Sequence, residues 1–67
     1  MLKLSAKKLR DLMVERDLNQ QDLALHSKIS STSISRLIKE DQPVRLTTLG
    51  RLARVLGVKY TDLLTEE

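Results

Sequence analysis

A chain of 67 residues forms one domain at most, and a core this small must come from tight helix packing or from added staples. The absence of Cys excludes disulfides and thiolate metal sites, and a single His cannot supply the three or four ligands that a metal site needs. Twelve Lys and Arg against nine Asp and Glu give a net charge of +3, a modest leaning towards an acidic partner. The only aromatic residue, Tyr60, argues against single-stranded nucleic acid held by base stacking.

Apolar residues are scattered, with no run near the ~20 that a bilayer span needs and no signal-peptide core. A soluble, cytoplasmic protein is expected. Gly and Pro are scarce and no stretch sustains a period of two. The expected class is therefore all-α, one domain over residues 1–67 with no linker or repeat.

The first helix is expected over residues 5–17, with Ser5 as its N-cap. Ala6, Leu9, Leu12 and Met13 form one apolar stripe. Arg16 shares that meridian and has to snorkel or pair, while Val14 points outward. Ahead of the helix, residues 1–4 either fray or use Leu2 and Leu4 to pin it to the core.

Asn19 interrupts the pattern as a good N-cap, with Asp22 three residues on. The second helix is expected over residues 20–27, with Leu23 and the small Ala24 and Ser27 on one face. Leu25 faces away. Lys28 and Ile29 make the turn, and Ser30 caps a third helix over residues 31–39. At ~100° per residue, Ile34, Leu37 and Ile38 cluster on one side of it and Ser31, Thr32, Ser35, Arg36 and Lys39 on the other. Hydroxyl residues inside a helix do little for its stability, so a row of them on one outward face asks for another reason. Two helices across a fixed corner over residues 19–39, the second with an outward polar face, are the layout of a helix-turn-helix.

Residues 40–45 form a polar loop in which Pro43 stops any helix. The fourth helix is expected from Leu46 or Thr48 to Leu56, with Leu46, Leu49, Leu52, Ala53 and Leu56 inward and Gly57 ending it. A short fifth helix over residues 60–64 is expected to return Tyr60, Leu63 and Leu64 to the core.

Gln20-Gln21-Asp22-Leu23-Ala24, Ile29-Ser30, Ser33-Ile34-Ser35-Arg36, Pro43, Leu56-Gly57-Val58 and Asp62-Leu63-Leu64 occur in that order. This series resembles the Cro/lambda-repressor-like (XRE-type) helix-turn-helix family over roughly residues 9–64. The resemblance implies a compact five-helix lambda-repressor-like DNA-binding domain, usually dimeric on a pseudo-palindromic operator. It also implies that the third helix reads bases and that Gln20 opens the second helix against the DNA backbone.

Three places depart from the family pattern. Lys28 stands where the turn usually carries Gly, and Glu40 where Gly usually follows the third helix, in a loop about one residue longer than usual. Met13 and Ile38 stand where the family often pairs an Arg with a Glu. Exchanging both partners for apolar residues is the neutral-to-stabilising swap, whereas changing one alone strands a charge. Met13 and Ile38 are therefore expected to touch.

For base reading the candidates are Ser31, Thr32, Ser35 and Arg36. Arg36 offers a fork to guanine O6 and N7, and Thr32 offers a methyl group to thymine. For the DNA backbone the candidates are Asn19, Gln20, Ser30, Lys39, Gln42 and Arg45, with Ser30 chiefly a cap. The bland alternative is a solvated polar face and capped helix starts. Lys7, Lys8, Arg51 and Arg54 read as general surface charge, and Asp11 and Glu15 as an ordinary charged helix face. No nucleophile–base pair or Gly-rich phosphate loop is present, so no enzyme activity and no cofactor are expected. The functional expectation is a small transcriptional regulator, a repressor, binding double-stranded DNA sequence-specifically as a homodimer without a small-molecule ligand. The rival is a protein-interaction module, antitoxin-like or an adaptor, in which the helix-turn-helix is mainly structural. A third reading is a domain cut from a longer protein, which the ending at Glu66 and Glu67 permits.

Overall fold

In the computed structural model, which describes residues 2–65, polar caps set where the first three helices begin. Ser5 opens α1 (Ala6–Glu15), its hydroxyl oxygen accepting the Lys8 N–H at 3.2 Å. Asn19 opens α2 (Gln20–Ser27) with a reciprocal box: its Oδ1 accepts the Asp22 N–H at 2.7 Å, and its own N–H donates to Asp22 Oδ2 at 3.5 Å. Ser30 opens α3 (Ser31–Lys39) by accepting the Ser33 N–H at 3.3 Å. Each such cap contributes ~1 kcal/mol and, more usefully here, fixes the frame of the helix behind it.

The helix ends are equally specific. α1 closes through Asp17 at φ 53, with the Leu18 N–H on the Met13 carbonyl at 2.9 Å and the Asp17 N–H on Val14 at 3.1 Å, the Schellman pattern. Gly57, at φ 69, ends α4 (Leu46–Leu56) in the same way. α2 ends on Lys28 at φ 59 and ψ 32. The turn thus keeps the left-handed geometry usual for Gly, with a side chain present.

The expected all-α, five-helix domain is corrected in two places. Leu2–Leu4 forms a strand, β1, antiparallel to β2 (Gln42–Val44), with Leu2 opposite Val44 and Leu4 opposite Gln42. On its other side, Leu4 bridges to Leu64, and the Thr65 N–H reaches the Lys3 carbonyl at 3.1 Å. Pro43, which lacks the N–H that a ladder uses, suits this short edge pairing. The segment after α4 is a single 3-10 helix, Tyr60–Leu63, not a fifth α-helix. Among the described residues the fold is four α-helices, one 3-10 helix and a two-stranded sheet. Residues 2–4 are pinned, and the part of the fraying expectation that concerns Met1 lies outside the described residues, as do Glu66 and Glu67.

Every element buries an aliphatic residue: Leu4, Leu9, Leu23, Ile34, Leu52 and Leu63 lie within one core. Two inward expectations are corrected. Leu46 is 71% exposed, because it stands in the first turn of α4 beyond the edge of the core. Tyr60 is 49% exposed, because the tighter 3-10 turn carries it off the inward face that Leu63 occupies. Val14 and Leu25 are exposed as expected. Arg16 resolves its conflict by donating from Nε to the Leu56 carbonyl at 2.9 Å, capping α4 from outside.

α1 packs on α3. Met13 is buried in the core, Ile38 packs against that core, and Arg10 donates to the Ile38 carbonyl at 2.6 Å. α2 packs on both α3 and α4. The corner between α2 and α3 is therefore braced from two sides, by α1 and by α4.

Candidate nucleic-acid interface

The outward side of α3 follows from what its inward side must bury. Ile34 and Leu37 are buried, and the ~100° step then leaves Ser31, Thr32, Arg36 and Lys39 exposed and Ser35 half-buried. Arg36 and Lys39 carry the only charges on this helix, both positive. The Arg36 guanidinium has the two parallel donors that fit a guanine edge. The Thr and Ser hydroxyls donate or accept as the partner requires.

Both ends of α3 are held by glutamine amides. At the start, Gln20 Nε2 donates to the Ser31 carbonyl at 3.0 Å, linking the first turns of α2 and α3. Asn19, Gln20, Gln21 and Ser31 line a shallow cleft there. Free N–H groups and a positive dipole end suit a phosphate at such a place. Asp22 puts a negative charge in the same turn, so amide donors would hold a phosphate there rather than net charge. The Gln20 amide keeps a second N–H for this purpose.

At the far end, Gln42 Nε2 donates to the Arg36 carbonyl at 2.8 Å. Gln42 was a candidate for phosphate contact; this bond to α3 uses one of its two amide N–H groups. A second cleft brings Arg36, Gln42 and Arg45 together, with Ser33 and Thr48 beside them. Ser33, Thr48 and Gln21 were not among the sequence candidates. Their polar type and closeness to helix N-termini were visible in the sequence, but the tertiary neighbours that make them rim residues were not.

Ser30 serves as a cap. Its oxygen accepts the Ser33 N–H, and its hydroxyl donates to Ser33 Oγ at 3.0 Å. Asp41, the acid nearest the second cleft in sequence, is turned away: its Oδ1 accepts the Ala6 N–H at 2.9 Å, capping α1. The candidate residues thus fall into an amide-rich cleft at one end of α3, a cationic cleft at the other, and the hydroxyl-rich face between them. Among the described residues, no group of three His, Cys, Asp or Glu side chains converges as a metal site would require, and no helix is long and apolar enough to cross a membrane.

A profile of the Cro/C1-type HTH DNA-binding domain matches residues 8–67. The chain belongs to this family. The domain is 36% identical over 59 residues to the cryptic phage CTXphi transcriptional repressor RstR of Vibrio cholerae, covering 88% of this chain and 53% of that protein. It therefore spans about half the length of this curated relative. Among solved structures, the domain superposes on the transcriptional regulator VanUg with a TM-score of 0.76 at 24% identity, over 97% of this chain and 87% of that one. It also superposes on part of HEPD from Streptomyces albus, solved with 2-hydroxyethylphosphonate and Fe(II), with a TM-score of 0.84 at 27% identity. That match takes in 90% of this chain but only 14% of the HEPD chain, so it speaks to a shared fold.

Proposed function

We propose that this protein is a non-enzymatic transcriptional repressor that binds double-stranded DNA sequence-specifically in the cytoplasm, as a homodimer on two inverted half-sites. The observation that carries the reading is the exposed face of α3, where Arg36 and a row of hydroxyls stand between two polar clefts. α3 enters the major groove, with half-sites one helical turn apart, ~34 Å. Ser31, Thr32, Ser35 and Arg36 face the bases. Asn19, Gln20, Lys39 and Arg45 take phosphates, while Ser30 and Gln42 hold α3 in place for them. The 36% identical relative is named a transcriptional repressor, which supports repression over activation.

Dimerisation is assigned to the surface after α4. Tyr60 is exposed there, with Val58 half-buried beside it in sequence, whereas Leu64 is tied to Leu4 and packs on the core. The competing reading is an interaction module with an incidental polar face, and exposed Leu25 is the feature that favours it.

Binding to duplex DNA measured against salt separates the two. Counterion release predicts a steep negative slope of log affinity on log salt, lowered by about one for each phosphate contact removed. Gln20→Ala should weaken binding evenly across sequences, and Arg36→Ala should weaken the preferred sequence most. A flat slope, with neither substitution changing binding, selects the interaction module.

A further inference from the structure

Away from the reading face, a cleft of about 350 Å³ lies between the C-terminal end of α2 and the flank of α4. His26, Ser27, Lys28, Arg51, Arg54 and Val55 line it. It shares no residue with the clefts at either end of α3. Lys28, Arg51 and Arg54 are all exposed, and no carboxylate lines the cleft with them. None of their three side chains has a hydrogen bond or ion pair among the described residues. Arg51 and Arg54 stand three residues apart, one above the other on a single face of α4. Three like charges around one concavity repel each other when it holds no anion, and attract a multivalent anion.

The second observation is independent of charge. Lys28 holds φ 59, a left-handed conformation that a β-carbon disfavours and glycine adopts freely. Glycine would meet this cap geometry without strain, yet the position carries a long side chain that lines the cleft. The C-terminal dipole of α2 attracts a cation, but it does so over the whole last turn without requiring this conformation, and it does not reach the arginines of α4.

We propose that Lys28, Arg51 and Arg54 form a phosphate-binding site distinct from the base-reading surface. The guanidiniums offer paired N–H donors to phosphate oxygens, the Lys28 ammonium supplies a point charge, and the His26 ring N–H is a further donor. The phosphate comes either from the DNA backbone outside the groove that α3 enters or from a free polyphosphate. The first source rests on the function proposed above; the second does not.

The test titrates inorganic pyrophosphate into the whole chain, follows backbone amide shifts, and repeats this with Lys28→Gly and with the Arg51→Gln/Arg54→Gln double variant. Saturable shifts are expected at residues 26–28 and 51–55, with affinity at least tenfold weaker in both variants. Lys28→Gly should melt above wild type, so its lost affinity cannot come from unfolding. In parallel, the salt slope for duplex DNA is measured. If the site takes a backbone phosphate, the slope falls by about one in the double variant and by no more than that in Lys28→Gly, with base preference kept. An unchanged slope beside lost pyrophosphate binding assigns the site to free polyphosphate. Saturable pyrophosphate binding in a protein that ignores DNA leaves this site standing and refutes the proposed function instead. The proposal is overturned if wild type shows no saturable shift and the variants keep its salt slope, or if both variants bind pyrophosphate as wild type does.

Discussion

Lys28 shows how far one backbone angle can be read from sequence and what it costs. A β-carbon in the left-handed region costs ~1–2 kcal/mol, and glycine gives back ~0.5–1 of that through its freer unfolded chain. Lys28→Gly is therefore expected to stabilise the fold by about 0.5–1 kcal/mol, read as a higher urea midpoint with an unchanged m-value. An unchanged or lower midpoint would show that the turn is not strained. The turn at Lys28 was legible only through the family resemblance, whereas Asn19 and Ser30 announce helix starts through side chains that bond backbone three residues on, and Gly57 announces a helix end by lacking one. The destination of Arg16 was not legible. Its partner, the Leu56 carbonyl, lies forty residues away at 2.9 Å and becomes a neighbour only when the C-terminal ends of α1 and α4 meet in the fold.

At the level of elements, α1, α3 and α4 were legible because each carries an apolar stripe over two or more turns, and the eight-residue α2 because Asn19 caps it and Lys28 interrupts it. The sheet was not. β1 and β2 have three residues each, too few for a period of two to stand out, and their pairing joins opposite parts of the chain. The final 3-10 helix was read as an α-helix because one turn carries no periodicity with which to tell them apart. Two predictions belong to this scale. Gln42→Ala removes the hydrogen bond to the Arg36 carbonyl, a group close to solvent, so stability should fall by only ~0.5–1 kcal/mol. Discrimination between the preferred and random duplexes should narrow, because the C-terminal end of α3 loses its lateral hold. Equal losses on every duplex would instead mark Gln42 as a phosphate contact.

The second prediction concerns the seam between α1 and α3. Met13→Arg or Ile38→Glu alone strands a charge and should cost ~2–4 kcal/mol, the half-exposed Ile38 site at the lower end. The double variant restores a pair and should recover at least ~1 kcal/mol of the summed loss. Purely additive losses in a double-mutant cycle would mean that the two side chains do not meet. The sequence supports their contact only through the paired departure from the family pattern, and the fold adds that Met13 is in the core with Ile38 packed on it.

At the scale of the molecule, one small core positions a face that contributes little to it. Ser31, Thr32 and Arg36 are exposed, while each neighbour that aims them, Ile34, Leu37 and Leu23, is buried. The division was legible in α3 because burial and reading sit on opposite sides of a single helix. The clefts at its two ends were not, because each joins residues from separate elements. Charge on the face is light, Arg36 and Lys39 among hydroxyls, so the proposed sequence preference would rest on few contacts together with DNA shape. The most direct measurement is selection of duplexes from a random library by wild type and by Arg36→Ala. The account predicts that wild type enriches inverted half-sites one helical turn apart, each with a guanine whose preference disappears in Arg36→Ala while the remaining positions persist. Enrichment of no sequence, or the same preference at every position with Arg36 removed, would contradict it.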